Sequence, residues 1–475
     1  MRAVHTVDEV RAAEETLMAT LPDGALMARA ATGLAVECAA LLGSVYGARV
    51  ALLVGAGNNG GDALYAGAAL ARRGAVVQAL LLAPERAHGG GLAALTRAGG
   101  RVVAAVPDEL AGADLVIDGI VGIGGRGALR DAAASLAVAA RGSLTIAVDI
   151  ASGVDAGTGE VAGDAIEADV TVTFGTLKPG LLVGAGAVHT GELHLVDIGL
   201  DPLLPAAQTF VLEAADVAEL LPVPSWSDDK YTRGVVGVIA GSAAYSGAAV
   251  LTTGAAIHGG AGYVRYAGGA VDAVRARYPE VVVHENATPS GLRVQAWTIG
   301  PGVGTDHPAR DVLADVLSTD VPVLVDADGV TLLGEHPDLL HGRTAPTVVT
   351  PHDREFARIA DGPSADRLGS ARAAAATLGV TVLLKGDATI VAAPDGRAWI
   401  NRTGTPWLAT AGSGDVLSGL IGSLLASGLA APLAAAVGAY VHGVAGQLAA
   451  ADGPPSSADV LGALRRALHV VSSGG

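Results

Sequence analysis

Leu384-Lys385-Gly386-Asp387-Ala388-Thr389 and, further on, Thr403-Gly404-Thr405-Pro406-Trp407-Leu408-Ala409-Thr410-Ala411-Gly412-Ser413-Gly414-Asp415 are the best-specified stretch of this chain. The first segment closes an apolar strand, and Val416-Leu417-Ser418-Gly419-Leu420-Ile421 after the second reads as the first turn of a helix. The glycines therefore sit where the free N–H groups of a helix N-terminus point outward, which makes an anion site. Gly412 and Gly414 let the main chain approach a phosphate, and Asp415 is placed to take a proton from a hydroxyl attacking one. Taken alone, a glycine loop with an Asp at a helix cap is an equally good reading. Lys385-Gly386 and the Thr-Gly-x-Pro stretch upstream weigh against it.

Outward from this stretch, strands and helices alternate. Upstream, strands are expected at 235–240, 262–266, 297–299, 323–326, 347–350 and 381–385, with helices at 247–259, 309–317 and 365–378. Downstream, residues 416–451 carry no charge unless His442 is protonated, which is long enough for a membrane span. Gly428, Pro432, Gly438, Gly443 and Gly446 interrupt the run, so two buried Ala-rich helices are expected instead. Residues 201–224 are Pro-rich and periodicity stops there, which places a linker between about residues 212 and 228 and domains at 1–212 and 228–475. A length of 475 residues independently calls for two domains.

The first half alternates as well. Residues 6–43 have helical spacing broken at Pro22-Asp23-Gly24, and read as two helices packed on the alternating units after them. Strands at 50–54, 76–82, 115–118 and 145–149 then interleave with helices at 63–73, 91–99 and 132–141, and short strands at 170–174 and 192–196 finish a doubly wound α/β domain. The net charge of −17 argues against nucleic acid as a partner. One cysteine, Cys38, allows neither an intramolecular disulfide nor a Cys-based zinc site, so a cytoplasmic setting is expected. Acids appear early in the opening residues, and no signal peptide is expected there.

Gly55-Ala56-Gly57-Asn58-Asn59-Gly60 matches a dinucleotide fingerprint after a strand. No acid follows the second strand where a ribose-binding carboxylate belongs, and Asn58, Asn59 and Asp62 add more polar side chain than a pyrophosphate turn needs. Such oxygens suit a hard cation or a hydroxylated ligand. The strand ends Asp118 and Asp149 share one edge of the sheet, the edge where ligands bind in this architecture.

Asn58-Asn59-Gly60-Gly61-Asp62, Asp118 with Gly122-Ile123-Gly124, Val148-Asp149-Ile150-x-Ser152-Gly153-Val154-Asp155 and Thr173-Phe174…Lys178-Pro179-Gly180-Leu181 resemble the NAD(P)H-hydrate epimerase family in that family's motif order. The resemblance implies that Asn58 to Asp62 and Gly122, Ile123, Gly124, Gly125, Arg126, Gly127 and Ala128 embrace the hydrated cofactor. It places Asp149, with Asp62, at the reacting ring, and a potassium ion on Asn59, Asp118 and Ser152. Ala63 and Ala151 depart from the family's usual glycine and proline.

In the second half, Lys230-Tyr231-x-Arg233-Gly234, Gly241-Ser242…Ser246-Gly247-Ala248-Ala249, Gly300-Pro301-Gly302-Val303-Gly304, Asp326-Ala327-Asp328-Gly329, Thr350-Pro351-His352-x-x-Glu355 and the opening stretch resemble the ribokinase-like, ADP-dependent NAD(P)H-hydrate dehydratase family. Asp353-Arg354 replaces its usual Pro-Gly pair. The resemblance implies NADHX and NADPHX as substrates, ADP as donor, AMP as product and a magnesium ion whose ligands the motifs do not identify. Asp415 is then the catalytic base, Ala248, Gly302 and His352 meet the hydrate, and Lys385, Gly386, Asp387, Ala388, Thr389, Gly412, Ser413 and Gly414 hold the nucleotide. A homo-oligomer, without nucleic-acid or membrane partners, is expected. The rival readings are a vitamin-precursor kinase of the same fold, which usually carries Gly-Ala-Gly-Asp, and a first half that only binds ligand.

Overall fold

The computed structural model describes residues 1–285 and 287–473; positions 286, 474 and 475 lie outside it, the last two being the end of the expected second domain. The chain forms two compact units, Ala3–Gln208 and Met1–Arg2 with Thr209–Gly475.

The first unit is built on a parallel sheet in the spatial order Arg101–Val103, Val76–Leu81, Arg49–Val54, Leu115–Gly119, Thr145–Val148, Val170–Phe174, Glu192–Val196. The chain runs outward from Arg49–Val54 to one edge and then returns to Leu115–Gly119 on its other side, so the order reverses between these two strands. Val54 pairs with Gly119, and Gly55 N–H donates to Gly119 O at 3.1 Å. The crevice outside these strand ends is the ligand position of an open α/β sheet. The central strands are apolar and buried on both faces, as a sheet covered by helices on each side requires.

The helix expected to start at residue 63 starts at Asn58 and runs Asn58–Arg72. Asn and Gly are weak helix formers, which is why this turn reads as loop in the sequence. Gly57, at φ 106°, turns the chain into it, and a Cβ on Gly60 would fall 2.4 Å from Gly55 O. Asn58 to Asp62 thus form the helix N-terminus itself. Ala63 is accommodated because its Cβ faces Gly119, where any side chain would collide.

The second unit's sheet runs Thr209–Val211, Ala398–Asn401, Thr389–Ala392, Thr381–Leu384, Thr347–Val349, Val323–Val325, Ala296–Ile299, Val235–Ile239, Tyr263–Tyr266, Val282–Val283. Its middle is parallel, and residues 381–401 add an antiparallel meander. The expected linker region is partly structured: Phe210 pairs with Trp399, and the helix Ala214–Leu220 buries Val217 against the helix Ser457–Ser472. Of the prolines that suggested a linker, Pro202 and Pro205 precede this helix and Pro222 and Pro224 follow it. Ala25–Leu42 and Ala431–Ala450 are long and apolar enough to cross a membrane, but Ala431–Ala450 lies mostly buried in the second unit's core. Ser413–Ala426 packs beside it with almost every residue buried.

Candidate functional site

In the first unit a cavity of about 930 Å³ opens at the strand ends. Asn58, Asn59 and Asp62 line one side, Ile120 to Gly124 another, and Asp149 and Phe174 the floor. Gly60 and Gly61 are buried behind this lining, while Gly125, Arg126, Gly127 and Ala128 continue the loop beyond it.

Asp149 ends its strand at φ 66°, a left-handed conformation that costs a non-glycine residue energy and is found mostly where a site demands it. Its Oδ1 accepts from Lys178 Nζ at 2.5 Å, Thr173 Oγ1 at 2.9 Å and Phe174 N at 3.2 Å. Lys178 is buried to 1% side-chain exposure and donates also to Thr173 Oγ1 and Phe174 O, both at 2.9 Å. One carboxylate oxygen is thereby fixed and Oδ2 is left to the cavity. Asp62 is nearly buried, its Oδ1 has no hydrogen-bond partner, and burial together with the charges of Asp149 and Glu14 pushes its carboxyl up to about 8. Burial also raises Glu14, beside Asp149 and Lys178.

Asp118 is fully buried, and burial pushes it up to about 6 against hydrogen bonds from Ser152 and Ile120. Ser152 Oγ donates to Asp118 Oδ1 at 2.7 Å, lies 3.2 Å from Val121 O, and its N–H donates to Oδ2 at 2.8 Å. The Asn59 amide nitrogen is buried without a partner, and a Cβ on Gly122 would strike its Oδ1.

In the second unit the helix Ser413–Ala426 points its N-terminus at the end of the strand Thr381–Leu384. Lys385 Nζ donates to Asp326 Oδ1 at 2.8 Å and lies 3.6 Å from Glu355 Oε2; Ser418 Oγ donates to Asp326 Oδ2 at 2.7 Å. Burial alone would raise Asp326, but the Lys385 ammonium and these hydrogen bonds hold it below the usual range. Asp415 takes the opposite course. Burial, with the neighbouring Asp326 and Asp328 charges, pushes it up to about 6 while Lys385 pulls it down. A carboxylate poised there is a serviceable base near neutral pH.

Gly412, at φ 89°, turns the chain into the helix. Ser413 N–H is already given to Thr410 O, so of the amides at this helix start those of Gly412, Gly414 and Asp415 have no backbone partner among the described residues. Ser413 Oγ meets the buried His442 Nε2 at 3.2 Å, and burial holds His442 down to about 4, hence neutral. Gly302, at φ 66°, faces Ala248: a Cβ there would sit 3.1 Å from the Ala248 Cβ. His352 uses Nδ1 to cap the helix Asp353–Ile359, and Asp353 pairs with Arg367, which gives the Asp353-Arg354 departure a structural use. Gly386, Asp387 and Ala388 form the hairpin turn before Thr389.

Two residues carrying these sites escaped assignment from sequence, Lys178 and Glu14, and Lys385 was read only as a nucleotide contact. Composition held a signal: the chain has three lysines, Lys178, Lys230 and Lys385, against 30 Lys and Arg together. Two of the three sit against strand-end carboxylates, Lys178 buried and Lys385 partly buried.

The fold and sites define a two-site enzyme: an open α/β unit with a cluster of acids at its switch point, and a ribokinase-like unit with a carboxyl of raised pKa on the first turn of a buried helix. A family profile described as YjeF-related protein N-terminus matches residues 23–180, and one described as NAD(P)H-hydrate dehydratase matches residues 236–462. A bifunctional NAD(P)H-hydrate repair enzyme of Mycobacterium tuberculosis is 54% identical over 92% of both chains, and that of Mycobacterium leprae is 52% identical over 96% of both. The ADP/ATP-dependent NAD(P)H-hydrate dehydratase of Bacillus subtilis, co-crystallised with ATP and Mg2+, superposes at TM-score 0.50 with 25% identity, covering 55% of this chain and 98% of its own. The chain belongs to the family of bifunctional NAD(P)H-hydrate repair enzymes. This favours the repair reading over a vitamin-precursor kinase with a passive first half.

Proposed function

We propose that the chain restores hydrated reduced nicotinamide cofactors. The first unit interconverts the R and S epimers of NADHX and NADPHX, and the second dehydrates the S epimer with ADP, releasing NAD(P)H, AMP and phosphate. The observation that carries this is Asp415: a half-buried carboxyl raised to about 6 on the first turn of a buried helix, beside Lys385.

Hydroxide is a poor leaving group. In the dehydratase, Asp415 takes the proton of the ring hydroxyl as its oxygen attacks the terminal phosphorus of ADP and AMP departs. The amides of Gly414 and Asp415 and the Lys385 ammonium meet the charge that develops. The ring nitrogen's lone pair then expels phosphate, and loss of a proton from the adjacent ring carbon restores the double bond. In the epimerase the same lone pair assists loss of the hydroxyl, and water returns to the opposite face. Asp62, protonated at neutral pH, donates to the departing hydroxyl, and Asp149 Oδ2 takes a proton from the incoming water.

Asp118, Ser152 and the Val121 carbonyl gather oxygens around a buried carboxyl to which no lysine or arginine pairs among the described residues, which fits potassium, and Asn59 would have to turn its Oδ1 to the ion to join them. Bound there, the ion would neutralise Asp118 and hold the loop after Gly119. Among the described residues no cluster of three or more acidic, His or Cys side chains makes a metal cage. Magnesium would enter on the diphosphate of the nucleotide, whose oxygens supply ligands of their own.

The test is to supply mixed epimers with ADP and follow the absorbance of the reduced cofactor. Wild type should consume both epimers; Asp415→Asn should stop recovery while epimer exchange continues. Recovery undiminished in Asp415→Asn would refute the assignment.

A further inference from the structure

The helix Val7–Met18 lies outside the residues matched by the family profile, and its spacing reads simply as packing. Val10 and Ala13 do pack, buried against the unit's core, but Arg11, Glu14, Glu15 and Met18, at the i, i+3, i+4, i+7 spacing of a second face, line the cavity. A capping box between Thr6 and Glu9 fixes where this helix begins and so which residues face the opening.

The two ends of that face serve different parts of the cavity. Glu14 is at the reacting end, within electrostatic reach of Asp149, Lys178 and Asp62. Arg11, one turn back, is at the glycine loop: its Nη2 lies 3.2 Å from where a Cβ on Gly124 would stand, so glycine there makes room for the guanidinium. Among the described residues Arg11 makes no ion pair or hydrogen bond, its one electrostatic neighbour being Glu14. Arg86, the other arginine lining the cavity, is beside Glu85 at 3.5 Å, and Arg126 of the loop is not in the lining.

We infer that Arg11 is a substrate-binding residue of the epimerase, gripping the diphosphate of the hydrated dinucleotide against the Gly122 to Gly124 loop. The inference rests on the epimerase reading above. A turn of helix rises about 5.4 Å, comparable with the ribose that separates the reacting ring from the diphosphate. A guanidinium offers two parallel donors to phosphate oxygens, and an unpaired one at a glycine loop is preorganised to do so. The helix Val7–Met18 is then a wall of the site, with the ring at its Glu14 end.

The test uses the full chain without ADP, so that only epimer exchange is read. Arg11→Ala should raise KM for the hydrated dinucleotide about tenfold to a hundredfold, with little change in kcat, because the contact is shared by ground and transition states. Arg11→Lys should recover part of the loss. With the hydrate of reduced nicotinamide riboside, which has no phosphate, wild type and Arg11→Ala should exchange at the same rate. An unchanged KM in Arg11→Ala, or an equal loss on the riboside hydrate, overturns the inference while wild type still accelerates exchange. Failure of wild type to accelerate exchange overturns the epimerase reading, and this inference with it.

Discussion

Replacing Lys178 by Met tests the buried ion pair on which the first site is built. Methionine keeps the length and apolar stem of the side chain but removes the ammonium that donates to Asp149 Oδ1, Thr173 Oγ1 and Phe174 O. Asp149 would then hold its charge at 8% exposure with a hydroxyl and an amide but no cation. Removing one partner of a buried pair costs about 3–5 kcal/mol. For a unit of this size each kcal/mol lowers Tm by about 2–4 °C, so the first unit's transition should fall by about 6–20 °C in differential scanning calorimetry of the full chain. The double variant Lys178→Met/Asp149→Asn removes the stranded charge, and Asn is among the few residues that tolerate the φ of 66° at this position. It should recover at least half of that loss. A Lys178→Met transition within about 2 °C of wild type, or a double variant no more stable than the single one, would refute the reasoning.

Other consequences rest on the same geometry. The proposed base Asp415 must be a carboxylate to act and its pKa is raised to about 6, so dehydration should be constant above that pH and fall with a single proton below it; a rate independent of pH down to 4.5 would be inconsistent, a bound set about 1.5 units below that value. Asp62 is raised from 3.8 to about 8 in the folded state, so the folded form holds the extra proton. Its contribution to stability is full below about pH 4 and declines by up to about 1.4 kcal/mol per pH unit until pH passes 8. Urea unfolding of Asp62→Asn should lack that slope, and an identical pH dependence in both proteins would count against it. Potassium should raise the first unit's Tm and speed epimer exchange, and Asp118→Asn should abolish both responses; an equal response to potassium in the variant would remove Asp118 from the ion site.

The alternation of apolar strands with amphipathic helices was readable because strands buried on both faces are continuous apolar runs, and this put Asp118, Asp149 and Lys385 at strand ends. The resemblance then supplied roles that spacing alone left open. What escaped the sequence has physical reasons. Asn58 to Asp62 read as loop because their helix is held by close backbone packing around Gly60 rather than by propensity. Arg101–Val103 is short and has no buried residue, and Ala214–Leu220 sits just before two of the prolines that looked like a linker. Lys178 is a cation in an apolar setting, meaningful only once the fold brings Asp149 to it, although the scarcity of lysine pointed that way. The helix Val7–Met18 showed its packing face in the sequence, whereas its second face acquires meaning only from the cavity it borders.

The most direct measurement tracks the oxygen of the hydrate. With oxygen-18 in the ring hydroxyl of the S epimer and ADP as co-substrate, attack on phosphorus carries the label into inorganic phosphate, with one AMP formed per reduced cofactor recovered. Label released into water instead would mean that the hydroxyl leaves without being phosphorylated, and Asp415 could not have the part assigned to it.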